Sequence, residues 1–369
     1  MTDTAERHHL ATGTHPDVER SIAGYRRGFW QAMRRSPARQ TARILIRRAK
    51  EFSARRSDPG DAARAHSDSS TIPVPAMLRP PSYHYRGYRG PWLEEHFRAT
   101  WENTDGGAAY LPVFFDSIFF HAQCSAFLPS EFAARYRALW RVLFAVEASQ
   151  RPCFTLLGMY DFPIWEWHLF PRNVVVAAAN GYGDVAIPLL KGDRPLRRGA
   201  KDIRVSFMGA TNGGSNVLNV RSEMRHTFDG LAHFGEGANW EDIMARSDFS
   251  LCPRGLGPTS FRLFEALSVS SIPIYVWKVR SWLPYADELD WSSFSLVVEA
   301  GEMNAAKETL LRMSAESVRR MQERIAEIYP RYFTYDAACA RIRERFAKVT
   351  SLEMARTLTG ERHRFEFAK

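Results

Sequence analysis

FSLCPRGLGPTSFRLFEALSVSSIPIYV, residues 249–276, decides the fold. An apolar run closes at Cys252-Pro253, and a loop follows that holds Arg254, Gly255, Gly257 and Pro258. The spacing then predicts a short amphipathic helix from near Ser260 and a second buried strand from Ile272-Pro273. Strand, loop, helix and strand in that order form one crossover unit of a parallel sheet. Its loop leaves the carboxyl end of the first strand, where open α/β sheets bind ligands. The helix start offers unpaired N–H groups and a positive dipole end, which suits phosphate. Arg254 and Arg262 add full charges there, and Glu265, three residues after Arg262, shares its helix edge. A carboxylate so placed can accept from the two adjacent hydroxyls of a ribose. The segment by itself points to a nucleoside diphosphate; the plainer alternative is an ordinary crossover with a salt-bridged Arg262–Glu265 pair.

At the same residues, CPRGLGPTSFRLFEAL resembles the exostosin family of glycosyltransferases. The resemblance continues through LPYADELDWSSFSLVVEAGEM (residues 283–303), and upstream through IRVSFMGATN with the later Arg221. NVVVAAANGYGDVAIPLL (residues 173–190) is similar to the segment that precedes these, and WLEEHF and AAYLPVFF echo the family's amino-terminal domain. It spans roughly residues 90 to 335, most specifically in the carboxy-terminal half. What it implies is a GT-B α/β fold: two Rossmann-like domains facing each other across a cleft, here with a basic amino-terminal arm. It further implies an inverting transferase that moves a sugar from a nucleotide-sugar, a UDP-sugar foremost, to a glycan or polysaccharide acceptor. The alternative is a catalytically silent family member that supports an active partner.

By that resemblance Arg221, Arg262 and Glu265 are donor-binding. Arg254 follows the strand end and is placed to reach a pyrophosphate. Gly209 ends a strand, where backbone can approach a ligand closely, or is a plain turn glycine. Ser260 is expected to cap the helix, to bind a phosphate oxygen, or both. There is no Asp-x-Asp in the sequence. Metal and cofactor are therefore not expected, and arginines with a helix dipole neutralise the departing diphosphate. Inversion needs a base on the acceptor side. Among Asp116, His121, Asp161, Glu166 and His168, the best placed is Asp161, in GMYDFPI after an apolar strand. His121 reads as a satisfied core histidine, and Trp165, Trp167 and Phe170 as core or as a sugar-stacking cluster.

A length of 369 residues and 45% hydrophobic content suit a folded chain of two or three domains. The domains are expected at 1–71 (basic arm and linker), 72–195 (acceptor domain), 196–335 (nucleotide-sugar domain) and 336–369 (a helix returning to the first domain). Strands are expected at 111–115, 154–157, 174–177 and 204–207, and helices at 92–101, 131–148, 315–328 and 336–349. Net charge is +9, yet residues 20–56 hold twelve Lys/Arg against the single acid Glu51. The rest therefore carries 50 − 12 = 38 basic and 41 − 1 = 40 acidic residues, or −2. High charge describes an arm and not a nucleic-acid surface, so nucleic acid is not an expected partner.

Within that arm, Phe29, Trp30, Ile44, Ile46 and Phe52 are interspersed among the arginines. Three readings stay open: a segment lying on an anionic membrane, a solvated disordered arm, and an organelle-targeting segment. Four scattered cysteines form no C-x-x-C pair and read as small buried residues. No apolar run is long enough to span a membrane, and no signal-peptide core follows the first charges. A cytoplasmic enzyme is the expectation, peripheral to a membrane if the first of the three readings of the arm holds.

Overall fold

The structure is a computed structural model that describes residues 16–57, 70–83, 85, 88–101, 106–158, 170–181, 183–212, 217–255 and 257–360, without the side chains of residues 49–57 and 217. The chain divides into two compact units. The first comprises residues 1–178, 183–185 and 343–369, and the second residues 179–182 and 186–342.

In the first unit, helices α1 (Pro16–Arg35) and α2 (Pro37–Ser57) precede α3 (Leu93–Ala99), strand β1 (Ala109–Tyr110), α4 (Phe115–Gln123) and α5 (Pro129–Ser149). Strands β2 (Cys153–Leu157), β3 (Val174–Ala178) and β4 (Val185–Ala186) follow, and the sheet order is β1-β2-β3-β4. β1, β2 and β3 pair in parallel, with Cys153 opposite Val174. Every residue of β2 and β3 is buried, as expected of strands covered on both faces.

A strand at Leu111–Phe115 is not observed. β1 ends at Tyr110, and Phe115 opens α4. Leu111 and Val113 are apolar because the exit from the sheet is itself buried, and so short an apolar run does not fix strand over loop.

The described part of the amino-terminal segment is not a loose arm: α1 and α2 are docked on α5. The Tyr25 ring stacks on Phe132 with centroids 4.1 Å apart, and its hydroxyl donates to the Phe127 carbonyl at 2.6 Å. Arg137 pairs with Glu19 through two hydrogen bonds of 2.6 and 2.7 Å. Arg47 is 1% exposed, donating to the Ala126 carbonyl at 3.0 Å and pairing with Glu131 at 2.8 Å. Its guanidinium also lies over the Phe127 ring. Local composition suggested solvation because these partners are supplied by residues about 80 or more positions away. The linker part of the expected 1–71 segment, rich in Ser, Asp, Ala and Gly from Ser57 to Ser70, falls almost wholly outside the described residues.

In the second unit come β5 (Ile203–Met208), α6 (Val220–Thr227), β6 (His233–Gly235), α7 (Trp240–Ala245), β7 (Ser247–Pro253) and α8 (Phe261–Ser268). They are followed by β8 (Ile272–Trp277), β9 (Leu296–Glu299), α9 (Met303–Arg312) and α10 (Ala315–Tyr332). The sheet order is β6-β5-β7-β8-β9, and every pairing is parallel. Strand order therefore reverses between β5 and β7. In an open α/β sheet, the crevice beyond the carboxyl ends at such a reversal is the ligand position.

Central strands stay tolerant of serine because the hydroxyls pair with each other. Ser247 donates to Ser206 at 2.7 Å, and Ser250 and Ser271 lie 2.8 Å apart. α8 buries Leu263, Phe264, Ala266 and Leu267 on one face, with Phe264 meeting Phe333 just beyond α10. Ser314 caps α10 by accepting from the Ser317 N–H. Helix α11 (Tyr335–Ala347) starts in the second unit, and its residues from Arg343 group with the first. There Phe346 stacks on Phe154 at 4.1 Å, and α12 (Leu352–Leu358) completes the described chain.

Candidate functional site

The exits of β5 and β7 hold the residues that the sequence singles out. Gly209 follows β5 directly, and its N–H donates to the Gly235 carbonyl at 2.8 Å, tying the exits of β5 and β6 together. A Cβ at Gly209 would meet Phe207 at 3.4 Å and Arg262 Nη2 at 4.0 Å, so the position has room and is close to Arg262. Arg221, on α6, reaches back so that Nη1 donates to the Ala210 carbonyl at 3.0 Å. Its guanidinium lies 5.7 Å from the Phe207 ring centroid.

Arg262 is the centre of the group. Nη2 donates to the Met208 carbonyl at 2.7 Å, and Nη1 stands 3.5 Å from Glu265 Oε2. The guanidinium also lies over the Trp240 ring, 4.7 Å from its centroid. Nη1 is buried and makes no hydrogen bond. A guanidinium N–H in that position can donate to a ligand oxygen. Glu265 is 8% exposed, so its ion pair with Arg262 is largely shielded from water.

Arg254 is only 4% exposed and is directed elsewhere. Its N–H donates to the Val276 carbonyl and Nη1 to the Lys278 carbonyl, both at 2.9 Å. Two hydrogen bonds of Arg254 thus run to the exit of β8, while Gly209, Arg221, Arg262 and Glu265 gather at the exit of β5. Ser260 occupies the cap position of α8 in an extended conformation, but its side chain accepts no capping hydrogen bond. The capping expectation fails there, and the hydroxyl remains beside the amides of the first turn.

Sequence reasoning missed two side chains. Thr259, 3% exposed, has a buried hydroxyl with no hydrogen-bond partner immediately before α8. Trp240 carries Arg262 on its ring and lies 5.2 Å from Arg194 as well. Neither has a local signal, apart from the position of Thr259 in a loop already assigned to a ligand.

The loop 255–259 is fitted closely to residues 180–181. A Cβ on Gly257 would run into the Asn180 carbonyl, and one on Gly181, at φ +108°, would collide with Pro258. Both glycines are required by this approach. Tyr275 fixes the same loop by donating from its hydroxyl to the Pro258 carbonyl at 2.9 Å.

Asp161, the expected base, lies outside the described residues, as do Trp165, Glu166, Trp167 and His168. His121 is a core histidine: 8% exposed, with Nε2 3.0 Å from the Pro81 carbonyl. Asp116 is 1% exposed, and its carboxylate fills the space that a side chain at Gly158 would take. Glu94 is likewise buried, and burial, with Asp116 and Glu95 adding to it, holds its carboxyl well above the ordinary range. Cys153, Cys252 and Cys339 are buried free thiols, and Cys124 is half-buried. Burial pushes the Cys153 thiol up to about 12, which leaves it unreactive. Among the described residues no group of three or more His, Cys, Asp and Glu is arranged to hold a metal ion, and no helix is long and apolar enough to cross a membrane.

An open parallel sheet whose reversal point is lined by arginines and a carboxylate places a ligand position at that reversal. Residues 184–313 match the Exostosin GT47 domain family. An Exostosin-1 homolog of Caenorhabditis elegans is 31% identical over 94 residues, covering 25% of this chain and 24% of that protein. A probable glycosyltransferase of Arabidopsis thaliana is 33% identical over 147 residues, covering 39% and 30%. The Arabidopsis xyloglucan galactosyltransferase XLT2 is 34% identical over 92 residues, covering 23% and 17%. The matched stretches thus span less than a third of these relatives' own length. Among solved structures, TarM aligns with a TM-score of 0.34 at 7% identity, over 52% of this chain and 43% of that one.

Proposed function

We propose that this chain transfers a sugar from a nucleoside-diphosphate sugar, a UDP-sugar foremost, to a glycan acceptor with inversion and without a metal ion. The observation that carries this reading is the buried Arg262 Nη1, without a hydrogen bond, beside Glu265 at the carboxyl end of β5. In the proposed complex, Arg262 Nη1 donates to a diphosphate oxygen while Nη2 keeps its bond to Met208. The Glu265 carboxylate accepts from the ribose hydroxyls. The Thr259 and Ser260 hydroxyls and the first-turn amides of α8 complete the phosphate cradle. Arg221, hydrogen-bonded to the Ala210 carbonyl, adds charge as the diphosphate departs.

Positive groups already fixed in place stabilise a leaving diphosphate without reorganising at the moment of bond breaking, which is the role a divalent cation plays elsewhere. Inversion requires the acceptor hydroxyl to lose its proton on the opposite face, and Asp161, in the segment after β2, is assigned that step. A silent subunit would be expected to shed its donor residues first. Here Arg221, Arg262 and Glu265 are all present and adjacent in the fold.

The test is thermal unfolding with and without UDP. A ligand bound only by the native state at a hundredfold excess over its Kd stabilises by about 2.7 kcal/mol. Absence of any shift with UDP and the other nucleoside diphosphates would refute the reading. UDP release from a panel of UDP-sugars, with and without acceptor, then separates an active transferase from a silent one.

A further inference from the structure

We propose that the outer face of the α1–α2 hairpin is a docking surface for an anionic lipid bilayer. The inner face is already used. Val18, Phe29, Ile44 and Arg47 are buried, and Tyr25, Glu19 and Arg47 make the contacts to α5 and its approach described above. What the hairpin presents outward is therefore fixed by docking and is not a choice among conformers of a free peptide.

That outward face carries Arg26, Arg27, Arg34, Arg35 and Arg39, all exposed. Between Arg20 and Lys50 the sequence contains no acid at all. The acids that approach from neighbouring turns are engaged: Asp17 with Arg20, Glu19 with Arg137, and Glu131 with Arg47 and Arg48. Among the arginines stand three large apolar side chains in water: Trp30 at 50% exposure, Leu45 at 59% and Ile46 at 58%.

Charge alone would suit any polyanion. The exposed tryptophan, leucine and isoleucine distinguish the partner. A nucleic-acid or polysaccharide chain gives exposed Leu and Ile nothing to bury against, whereas a bilayer offers anionic headgroups above an apolar layer. Tryptophan is also at home at that boundary, with an apolar ring and a polar N–H. The proposal stands apart from the donor site and does not depend on its assignment.

The experiment is co-sedimentation of the full chain with phosphatidylcholine vesicles, with and without about a third phosphatidylserine. The protein is expected to pellet with the anionic vesicles only. Combined Arg26→Gln, Arg27→Gln and Arg34→Gln should lower partitioning by about 100-fold, with thermal unfolding unchanged. Combined Trp30→Ser, Leu45→Ser and Ile46→Ser should leave binding at low salt and lose it at high salt, where screening removes the charge contribution. Equal pelleting with both vesicle types, or none with either, overturns the proposal. So does retention on heparin or DNA without vesicle binding, which would assign the face to a polyanionic chain. If a variant fails to fold, the lipid and salt dependence of the unaltered chain still decides.

Discussion

Arg262 Nη2 donates to the Met208 carbonyl at 2.7 Å, joining the start of α8 to the end of β5 across 54 residues of chain. One guanidinium thereby closes the strand exit, faces Glu265 at 3.5 Å and rests on Trp240. Its position is set by three elements, so the nitrogen left without an acceptor is held rigidly.

Arg262→Lys is expected to weaken UDP binding by about tenfold or more. A lysine ammonium is a point charge on a flexible stem and cannot serve the Met208 carbonyl and a diphosphate together as a planar fork does. The lost bond should cost about 1–2 kcal/mol of stability. Titration calorimetry and urea unfolding on the same sample check both. Unaltered affinity with lowered stability would show that Arg262 is only a structural tie.

Gly257→Ala should disturb the loop before α8, because the new methyl group meets the Asn180 carbonyl. Backbone cannot yield as the end of a flexible side chain can, so the cost is about 1–3 kcal/mol or a displaced loop. Either outcome should impair UDP binding more than sugar-independent properties of the chain. Wild-type melting and wild-type affinity together would show that the approach of the two loops is dispensable.

Glu94→Gln is expected to stabilise the protein at neutral pH. Burial raises the folded-state pKa of Glu94 well above the reference value of 4.5. Above 4.5 the unfolded chain releases a proton that the folded chain keeps, so stability falls as pH rises towards the folded-state pKa. A neutral amide removes that loss. The Tm advantage of the variant should therefore be clear at pH 7 and shrink as pH approaches 4.5. A constant penalty at all pH values would show that Glu94 acts through its packing and not its charge.

Acid should release the amino-terminal hairpin before it melts the rest. Burial tends to raise the Glu131 carboxyl, but the Leu128 N–H and the Arg47 guanidinium outweigh it and hold it low. Hydrogen bonds from Arg137 lower Glu19 in the same way, against weaker opposition from burial. A depressed folded-state pKa contributes stability that is present above the unfolded value and is lost as pH falls through the folded one. Amide-exchange protection of α1 and α2, relative to that of the rest of the chain at the same pH, should fall as pH drops below 4.5. Glu131→Gln should mimic the effect at neutral pH, since it leaves the buried Arg47 without its counter-charge. Equal relative protection at every pH would rule out these pairs as the clasp.

The sequence by itself determined the second unit's core motif. Apolar runs at 249–253 and 272–276, with a glycine-containing loop and a helical period between them, mapped onto β7, α8 and β8 within about two residues. Short-range periodicity is sufficient there because a parallel strand buried on both faces and an amphipathic helix have patterns that no neighbouring chain needs to supply. The same local reasoning placed Arg262 and Glu265 on one helix edge, where the structure has them.

Only the tertiary structure decided what those side chains touch. That Arg262 reaches Met208 and Trp240 and that Arg254 turns to Lys278 depend on elements brought side by side from 20 or more residues away. The amino-terminal segment shows the limit most plainly. Twelve positive charges in 37 residues left a membrane-lying segment, a solvated arm and a targeting segment open, yet Arg47 is buried because the Ala126 carbonyl and the Glu131 carboxylate receive it. Burial of a charge is a property of its partners, and partners distant in sequence leave no local trace.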